Sequence, residues 1–349
     1  MTGVGENVEH TPLEVLLRRF SERRQPLALD HPLGQLMRAL RAEQLDQLPL
    51  PGHGHTLQRW QTLARIAGCD LALAKLYEGH TDALAILAEC AAAPLAGDAI
   101  WGVWAAEPPD ARVHIIARDG DHVRLSGRKA WCSGALQIDR ALITAWGDDQ
   151  HPQLVAIDLA HPSQRIQANN WQAVGMAATA SADVEFEDSP GIVVGQPGQY
   201  LSRPGFWHGG GGIAACWYGG AEALAEYLRA HCGKPRPEPH ADAHLGAVDA
   251  ALCGACATLR ECAAWIDRHP SDDAGFIVQR SRAQVEQAVD CVIGHVGRAL
   301  GATPFCRNPH FARLIADLPV YLRQSHAERD LANLGQQLAQ MPAGAWHLS

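Results

Sequence analysis

The sequence has no dense run of Lys or Arg, and its formal net charge at pH 7 is −9. Nucleic acids and anionic membranes attract proteins through clustered positive charge, so we expect neither as a partner. The first ten residues are acidic and polar and lack the basic-then-apolar order of a secretion signal. The apolar stretch 213–225 contains Glu222 and is too short to cross a bilayer. These features predict a protein of the cytoplasm.

Paired cysteine spacing is also lacking, although the chain has ten cysteines. Cys253 and Cys256 form a single CxxC without a second pair or a preceding strand, so they are expected to be free helix residues. His240 and His244 are four residues apart, but no third residue has the spacing of a metal ligand. We therefore predict no disulfide and no metal site.

The glycine-rich motifs of nucleotide-binding proteins are missing, since neither a Rossmann nor a P-loop pattern occurs. His208 is followed by four glycines, an arrangement found in the oxyanion loop of some esterases. That interpretation requires a Gly-x-Ser-x-Gly nucleophile elbow, which the sequence does not contain. The glycines instead predict close approach of another part of the backbone, and His208 is a candidate structural or substrate-lining residue.

The pattern that is present divides the chain into helical, β and helical regions, placed at 1–99, 100–198 and 199–349. In the first region, Thr81 and Asp82 are suited to begin a helix. The second has short β-branched segments between turn signals, which predict a barrel or a sandwich. Helices are expected in the third at 213–231, 244–268, 283–300 and 313–338. This order argues against a doubly wound sheet, in which strands and helices alternate.

Four segments, in this order, resemble the acyl-CoA dehydrogenase superfamily. Residues 105–109 (AAEPP) are similar to its Thr-Glu-Pro loop, and residues 125–134 (LSGRKAWCSG) to its Gly-x-Lys-x-Trp-Ile-Thr-Asn strand. Residues 174–188 resemble its Gly-x-x-x-Ser-x-x-x-x-Phe-x-Asp passage. In 301–317, Pro309, Arg313 and Asp317 match the spacing of its final helical hairpin. The resemblance implies an α+β fold with an N-terminal α-helical domain, a central β-barrel and a C-terminal four-helix bundle.

The resemblance also implies a bound FAD and a homodimer or homotetramer that completes the cofactor site across subunits. Trp131 would cover a face of the flavin ring, and Ser133, two residues along the strand, would donate to its edge. Ala106 stands where the family has Thr, so one side-chain contact to the flavin is lost. The helix that starts at Ile213 is shorter than usual in the family, and Arg229 and Arg236 are candidates to reach the partner's cofactor.

The catalytic base of the family is the main departure. Many members have a Glu eight residues after the Asp that matches Asp317, and this chain has Ser325 there, followed by His326. Serine is a poor base without an activator. A His near this point resembles the monooxygenase branch, where it takes part in the oxygen chemistry beside the flavin. Ser325, His326 and His208 are therefore the candidate catalytic residues, and a surface position is the alternative for His326.

The leading functional prediction is FAD-dependent α,β-dehydrogenation of a small acyl substrate, such as a thioester of CoA or of a carrier protein. The runner-up is a flavin-dependent monooxygenase of the same superfamily. A third hypothesis is a non-catalytic scaffold that acts as an oligomeric binding protein, because Ala106 and Ser325 depart from the family's functional residues.

Overall fold

The structure is a computed structural model that describes residues 11–24, 33–90, 95, 97–147, 151–235 and 239–347. The N-terminal helices are α1 (Pro12–Arg23), α2 (Leu33–Ala42), α3 (Thr56–Cys69) and α4 (Leu71–Cys90). Thr11 and Glu14 form a capping box at the start of α1. The predicted helical N-terminal region is confirmed.

Helix α4 is continuous, so the prediction that a helix begins at Thr81 is wrong. The cap is Asp70, whose Oδ1 accepts a hydrogen bond from the backbone N–H of Leu73 at 2.9 Å. The Thr81 hydroxyl donates to the carbonyl of Glu78 within the helix. Asp82 consequently lies in the middle of α4 and not at a helix end.

The central region is a small closed barrel. Its strands are β1 (Trp101–Trp104), β2 (Val113–Asp119), β3 (His122–Cys132), β4 (Arg140–Trp146), β5 (Pro152–Asp158), β6 (Gln164–Gln167) and β7 (Ala182–Val194). Five of them close a ring in the order β2, β3, β7, β5, β4 and back to β2, while β1 pairs with β4 and β6 with β7. The barrel alternative of the sequence prediction is therefore confirmed, and the predicted hairpin is β2–β3.

The C-terminal region contains three long helices, α6 (Gly205–Cys232), α7 (Pro239–Arg268) and α8 (Gly275–Leu300), after the short α5 (Gln199–Ser202). The short α9 (Ala302–Arg307), α10 (Pro309–Leu322) and α11 (Glu328–Ala339) follow. Helix α6 has 28 residues, so the expectation of a shortened helix from Ile213 is wrong. The helix predicted over 313–338 is two helices, and the turn between them carries Ser325 and His326.

The three long helices pack on one another, and α6 also packs against α3 and α10. One cluster of buried apolar side chains extends through all three regions and includes Met37, Ile143 and Val289. The domain boundaries at residues 99 and 198 stay a prediction. None of the helices in the described ranges is long and apolar enough to span a membrane.

Candidate active-site cleft

A cleft of about 460 Å³ lies among the helices. Its walls come from the middle of α4, the start of α6, the inner face of α8 and the turn between α10 and α11. This volume is within the range of small-molecule sites. The residues that line it belong to the helical regions, and no barrel strand contributes to it among the residues that the structure describes.

Asp82 presents a carboxylate to this cleft, which the sequence analysis missed because it placed Asp82 at a helix end. The side chain has no hydrogen bond and no ion pair to any described residue. Burial raises the pKa of the Asp82 carboxyl, while Arg203 acts in the opposite direction and Glu78 adds to the increase. A half-buried acid with a raised pKa and no protein partner is a group that can accept or donate a proton to a ligand.

An aromatic wall stands beside Asp82. Tyr200 and Phe206 meet edge to face with ring centroids 5.5 Å apart, and Phe206 and Trp207 meet in the same way at 5.4 Å. Phe206 and Trp207 are only half-buried and line the cleft with Asp82. The cleft therefore combines one carboxylate with an aromatic surface.

The arginines around the cleft are already bound to acceptors. Arg203 contacts Glu89 on α4, and Arg323 donates to Oε1 of Glu286 at 2.8 Å. Arg282 donates to the carbonyl oxygen of Gly210 at 2.8 Å, and its guanidinium lies 4.6 Å from the ring centroid of Trp217. Arg203 and Arg323 are thus paired with carboxylates, whereas Arg282 donates only to backbone carbonyls among the described residues.

Ser325 and His326 both line the cleft, as predicted for candidate catalytic residues. The Ser325 hydroxyl donates to Oε2 of Glu286 at 2.6 Å and accepts from the backbone N–H of Ala327 at 3.0 Å. Nδ1 of His326 lies 3.4 Å from Oδ1 of Asp330, and the side chain is 61% exposed. Ser325 is thus held by its neighbours, whereas the imidazole of His326 is accessible from the cleft.

The structure places His208 outside the set of residues that line the cleft. It is buried in the first turns of α6, and a Cβ added at Gly52 would lie 3.2 Å from its ring. Burial lowers the pKa of His208, and its Nε2 has no hydrogen-bond partner in the described chain. Its catalytic role stays a prediction.

Close approach is confirmed at Gly209, Gly211 and Gly212, although side chains rather than backbone approach them, and a Cβ at Gly210 would have no described neighbour nearer than 3.8 Å. A Cβ at Gly211 would lie 2.4 Å from the Trp60 ring, and one at Gly209 would lie 2.8 Å from Oδ1 of Asp82. The glycines therefore allow α3 and α4 to pack directly against α6. Because Gly209 touches Asp82, this packing also sets the position of the cleft carboxylate.

The two barrel segments of the sequence analysis meet through a buried ion pair. Nζ of Lys129 donates to Oε1 of Glu107 at 2.6 Å and to the hydroxyl of Thr144 at 2.6 Å. The Lys129 side chain is 0% exposed and that of Glu107 is 26% exposed. Burial lowers the pKa of Lys129, and the Glu107 carboxylate opposes that shift. The pair therefore holds the loop that carries Ala106, which is itself exposed, against β3.

Trp131 has an indole that is 59% exposed at the rim of the barrel, and its φ is 57°. Bulky residues rarely adopt this left-handed backbone conformation, and such outliers often occur at functional sites. The indole borders an open cavity of about 370 Å³, together with Arg128, Trp171 and Ser181. This cavity is lined by barrel residues, so the described chain does not bring Trp131 together with Ser325 and His326.

Ser133 does not lie on the same strand face as Trp131, which corrects the sequence prediction. Strand β3 ends at Cys132, and its register with β7 shifts between Lys129 and Cys132, so strict alternation does not extend to Ser133. The Ser133 hydroxyl accepts from that of Ser181 at 3.2 Å. Its role in flavin binding stays a prediction.

One face of α4 connects the barrel rim to the cleft. Lys75 and Gly79 border a narrow gap beside Ser133, and Asp82 borders the cleft. These residues are spaced at i, i+4 and i+7, which places them along one face of the helix. Gly79 and Asp82 are separated by about 4.5 Å along the helix axis. The gap beside Ser133 and the cleft are therefore neighbours along α4, whereas no residue of α4 is among the described residues that line the Trp131 cavity.

The third and fourth family-like segments contact each other. Oδ1 of Asp317 on α10 accepts from the backbone N–H of Met176 at 2.5 Å. A Cβ at Gly175 would lie 2.1 Å from the carbonyl oxygen of Ala316, so only glycine fits there. Pro309 occupies the start of α10. Asp317 and Gly175 thus hold the loop before β7 against α10.

Arg229 is exposed and pairs with Glu226 one turn earlier on α6, so it touches neither the cleft nor the Trp131 cavity. Its contact with a partner's cofactor stays a prediction, and Arg236 lies outside the described residues. None of the cysteines in the described ranges forms a disulfide, and Cys253 and Cys256 lie on α7 as expected. His244 meets His295 on α8, and no cluster suited to a metal ion occurs among the described side chains.

No protein-family model and no curated protein matches this chain. Solved structures do match its fold. Methanesulfinate monooxygenase MsuC from Pseudomonas fluorescens has a TM-score of 0.77 at 19% identity, covering 95% of this chain and 98% of that one. Dibenzothiophene monooxygenase TdsC from Paenibacillus sp. A11-2 has a TM-score of 0.77 at 18% identity, covering 94% and 96%.

A nitrososynthase from Micromonospora carbonacea var. africana has a TM-score of 0.78 at 16% identity, covering 94% of this chain and 95% of that one. TdsC has also been solved with FMN and indole. At this level of identity the likeness shows the fold. This fold, with helices on either side of a barrel that closes through five strands, is consistent with the acyl-CoA dehydrogenase-like fold expected from the four segments.

Proposed function

We propose that this chain is a flavin-dependent monooxygenase that binds a small organic substrate in the cleft between α4, α6, α8 and the α10–α11 turn. A bound reduced flavin would supply two electrons to O₂, so that one oxygen atom enters the substrate and the other leaves as water. The chain's own part is to hold the substrate at Asp82 and the aromatic wall, to exclude bulk water and to move protons at His326.

The observation that carries this proposal is the arrangement of the α10–α11 turn. Ser325 occupies the position at which many dehydrogenases of the superfamily have a carboxylate, and its hydroxyl already donates to Glu286. His326 follows with an accessible imidazole beside Asp330. An imidazole can exchange protons with a ligand near neutral pH, which oxygen insertion requires. The shared fold with two proteins named as monooxygenases supports the same conclusion.

The residues at the barrel rim fit a flavin ring. An exposed indole at Trp131 offers a flat apolar face, and Ser181, whose hydroxyl is hydrogen-bonded to Thr179 and Ser133, lines the same cavity. Arg128 borders the same cavity but already pairs with Asp110 and Asp183. We therefore propose that Trp131 and the Ala106 loop hold the ring, and that a second copy of the chain supplies charge for the phosphate.

FMN is the flavin to test first, because TdsC has been solved with FMN. FAD, which the sequence resemblance implies, stays a prediction. We likewise propose that the protein forms a homodimer or homotetramer in the cytoplasm.

Dehydrogenation of an acyl substrate is the second candidate, since Asp82 supplies a carboxylate that the sequence analysis had not found. Anaerobic photometry separates the two. We expect acyl thioesters to leave the absorbance of the oxidised flavin unchanged, and the reduced enzyme with ¹⁸O₂ to place one labelled atom in a product. Bleaching of the flavin by an acyl thioester without oxygen would favour the dehydrogenase. A protein that takes up neither FMN nor FAD would be the non-catalytic scaffold.

A further inference from the structure

We infer that the substrate of this cleft carries a protonated amine next to an aromatic or apolar group, with the ammonium bound by Asp82. This inference rests on the proposed function, since it names the class of substrate for the same site. It is carried by the contacts of the charged side chains around the cleft and by the aromatic surface beside them.

Carboxylates outnumber guanidinium groups in the lining of the cleft, which contains Asp82, Glu286, Asp290, Glu328 and Asp330 against Arg203, Arg282 and Arg323. Arg203, Arg282 and Arg323 each donate to an acceptor from the protein. Asp82 has no such partner within the described ranges. A buried carboxylate is stabilised when a donor pairs with it, and a protonated amine supplies both the charge and the N–H groups.

A second free carboxylate strengthens the same preference. Asp290 lines the cleft from α8 and has no hydrogen bond to a described residue, whereas Glu286 is occupied by Arg323 and Ser325. An anionic ligand, such as a thioester of CoA with its phosphates, would meet more carboxylates than cations here, because Arg282 is the one lining arginine that pairs only with backbone carbonyls among the described residues. Electrostatics therefore favours a cationic ligand over an anionic one.

The aromatic wall suits the same ligand. Phe206 and Trp207 are half-buried and stand edge to face, so parts of both rings remain open to the cleft next to Asp82. Aromatic faces attract ammonium groups and also pack against a flat or apolar substituent. A carboxylate and two rings around one cavity thus recognise an amine and the group attached to it.

Binding of benzylammonium and phenethylammonium, compared with benzyl and phenethyl alcohol, tests this inference. The ligands are titrated by calorimetry into the full chain near neutral pH. We expect the ammonium ions to bind at least about tenfold more tightly than the alcohols, and Asp82→Asn to remove this preference while alcohol binding stays the same. Asp119→Asn removes an exposed carboxylate at the end of β2 and should leave all affinities unchanged.

Equal affinities of ammonium ions and alcohols for the wild-type chain would overturn the inference, as would undetectable ammonium binding or an Asp82→Asn variant that keeps the preference. If that variant fails to fold, the comparison of ligands on the wild-type chain decides alone. The titration involves neither oxygen turnover nor flavin reduction. A failed oxygenation assay would therefore reject the proposed function without changing this result.

Discussion

Oδ1 of Asp82 lies 2.8 Å from the position that a Cβ atom would take at Gly209. Real Cβ atoms essentially never approach an oxygen so closely, so any larger residue at 209 must displace the carboxylate. The position of the Asp82 carboxylate therefore depends on residue 209 of α6 having no side chain. Gly210, the next residue, meets its nearest neighbour at 3.8 Å, which is ordinary contact.

This contrast gives a matched pair of variants. Both Gly209→Ala and Gly210→Ala gain up to about 1 kcal/mol of helix propensity. We expect Gly210→Ala to raise the unfolding free energy and to keep the affinity for benzylammonium. Gly209→Ala should lose at least part of the stability gain and lower that affinity, because Asp82 has to move. Calorimetric titration and urea denaturation measure the two effects, and identical behaviour of the variants would contradict this account.

The sequence could not reveal Asp82 as a cleft residue, and the reason is local. Thr81 and Asp82 form a good helix start in isolation, but the Ala/Leu-rich residues on both sides permit one uninterrupted helix, which Asp70 caps instead. The first turns of α6 could not be predicted as helix either, because glycine has a low helix propensity. These glycines are helical because α3 and α4 pack against them.

The order of helices, barrel and helices could be predicted because apolar periodicity and turn signals are local properties. The position of Ser133 could not, since a shift of register near the end of β3 breaks the alternation on which the prediction depended. The relation between Trp131 and the cleft likewise depends on how the barrel packs on α4, and the spacing of residues in the sequence does not contain that information.

His326→Ala tests the proton-transfer role proposed for the imidazole. We expect turnover in the oxygenation assay to fall by about 10²-fold or more, while the affinity for benzylammonium stays the same, because Asp82 and the aromatic wall are intact. His114→Ala on the barrel removes another exposed imidazole and should keep full turnover. Equal turnover of the two variants would show that His326 is a surface residue without a role in proton transfer.

Trp131→Ala tests the flavin site. Because the indole is 59% exposed, we expect the flavin-free chain to change in unfolding free energy by less than about 1 kcal/mol. Flavin affinity, followed by quenching of flavin fluorescence, should fall by at least about tenfold, since the ring loses its apolar face. Trp346→Ala, at an indole that is 82% exposed, is the matched control and should bind flavin normally. Unchanged flavin affinity in Trp131→Ala would show that the flavin does not bind at the barrel rim.

Asp317→Asn tests the buried acid that links α10 to the loop at Met176. Burial raises the pKa of Asp317 from 3.8 to about 6, while the Met176 N–H, Arg24 and Arg313 oppose the shift and Asp70 adds to it. The folded chain therefore binds this proton more tightly than the unfolded chain. The contribution of Asp317 to stability is greatest below about pH 4 and is lost as the pH rises through about 6.

Asparagine keeps an oxygen for the Met176 N–H but does not titrate. We therefore expect the unfolding free energy of the wild type to fall relative to that of Asp317→Asn by up to about 3 kcal/mol between about pH 4 and about pH 7. Urea denaturation of both proteins across this interval measures the difference, and Asp119→Asn should follow the wild type. Parallel curves for the wild type and Asp317→Asn would show that Asp317 carries its ordinary pKa in the fold, so that its hydrogen bond to Met176 offsets the cost of burial in full.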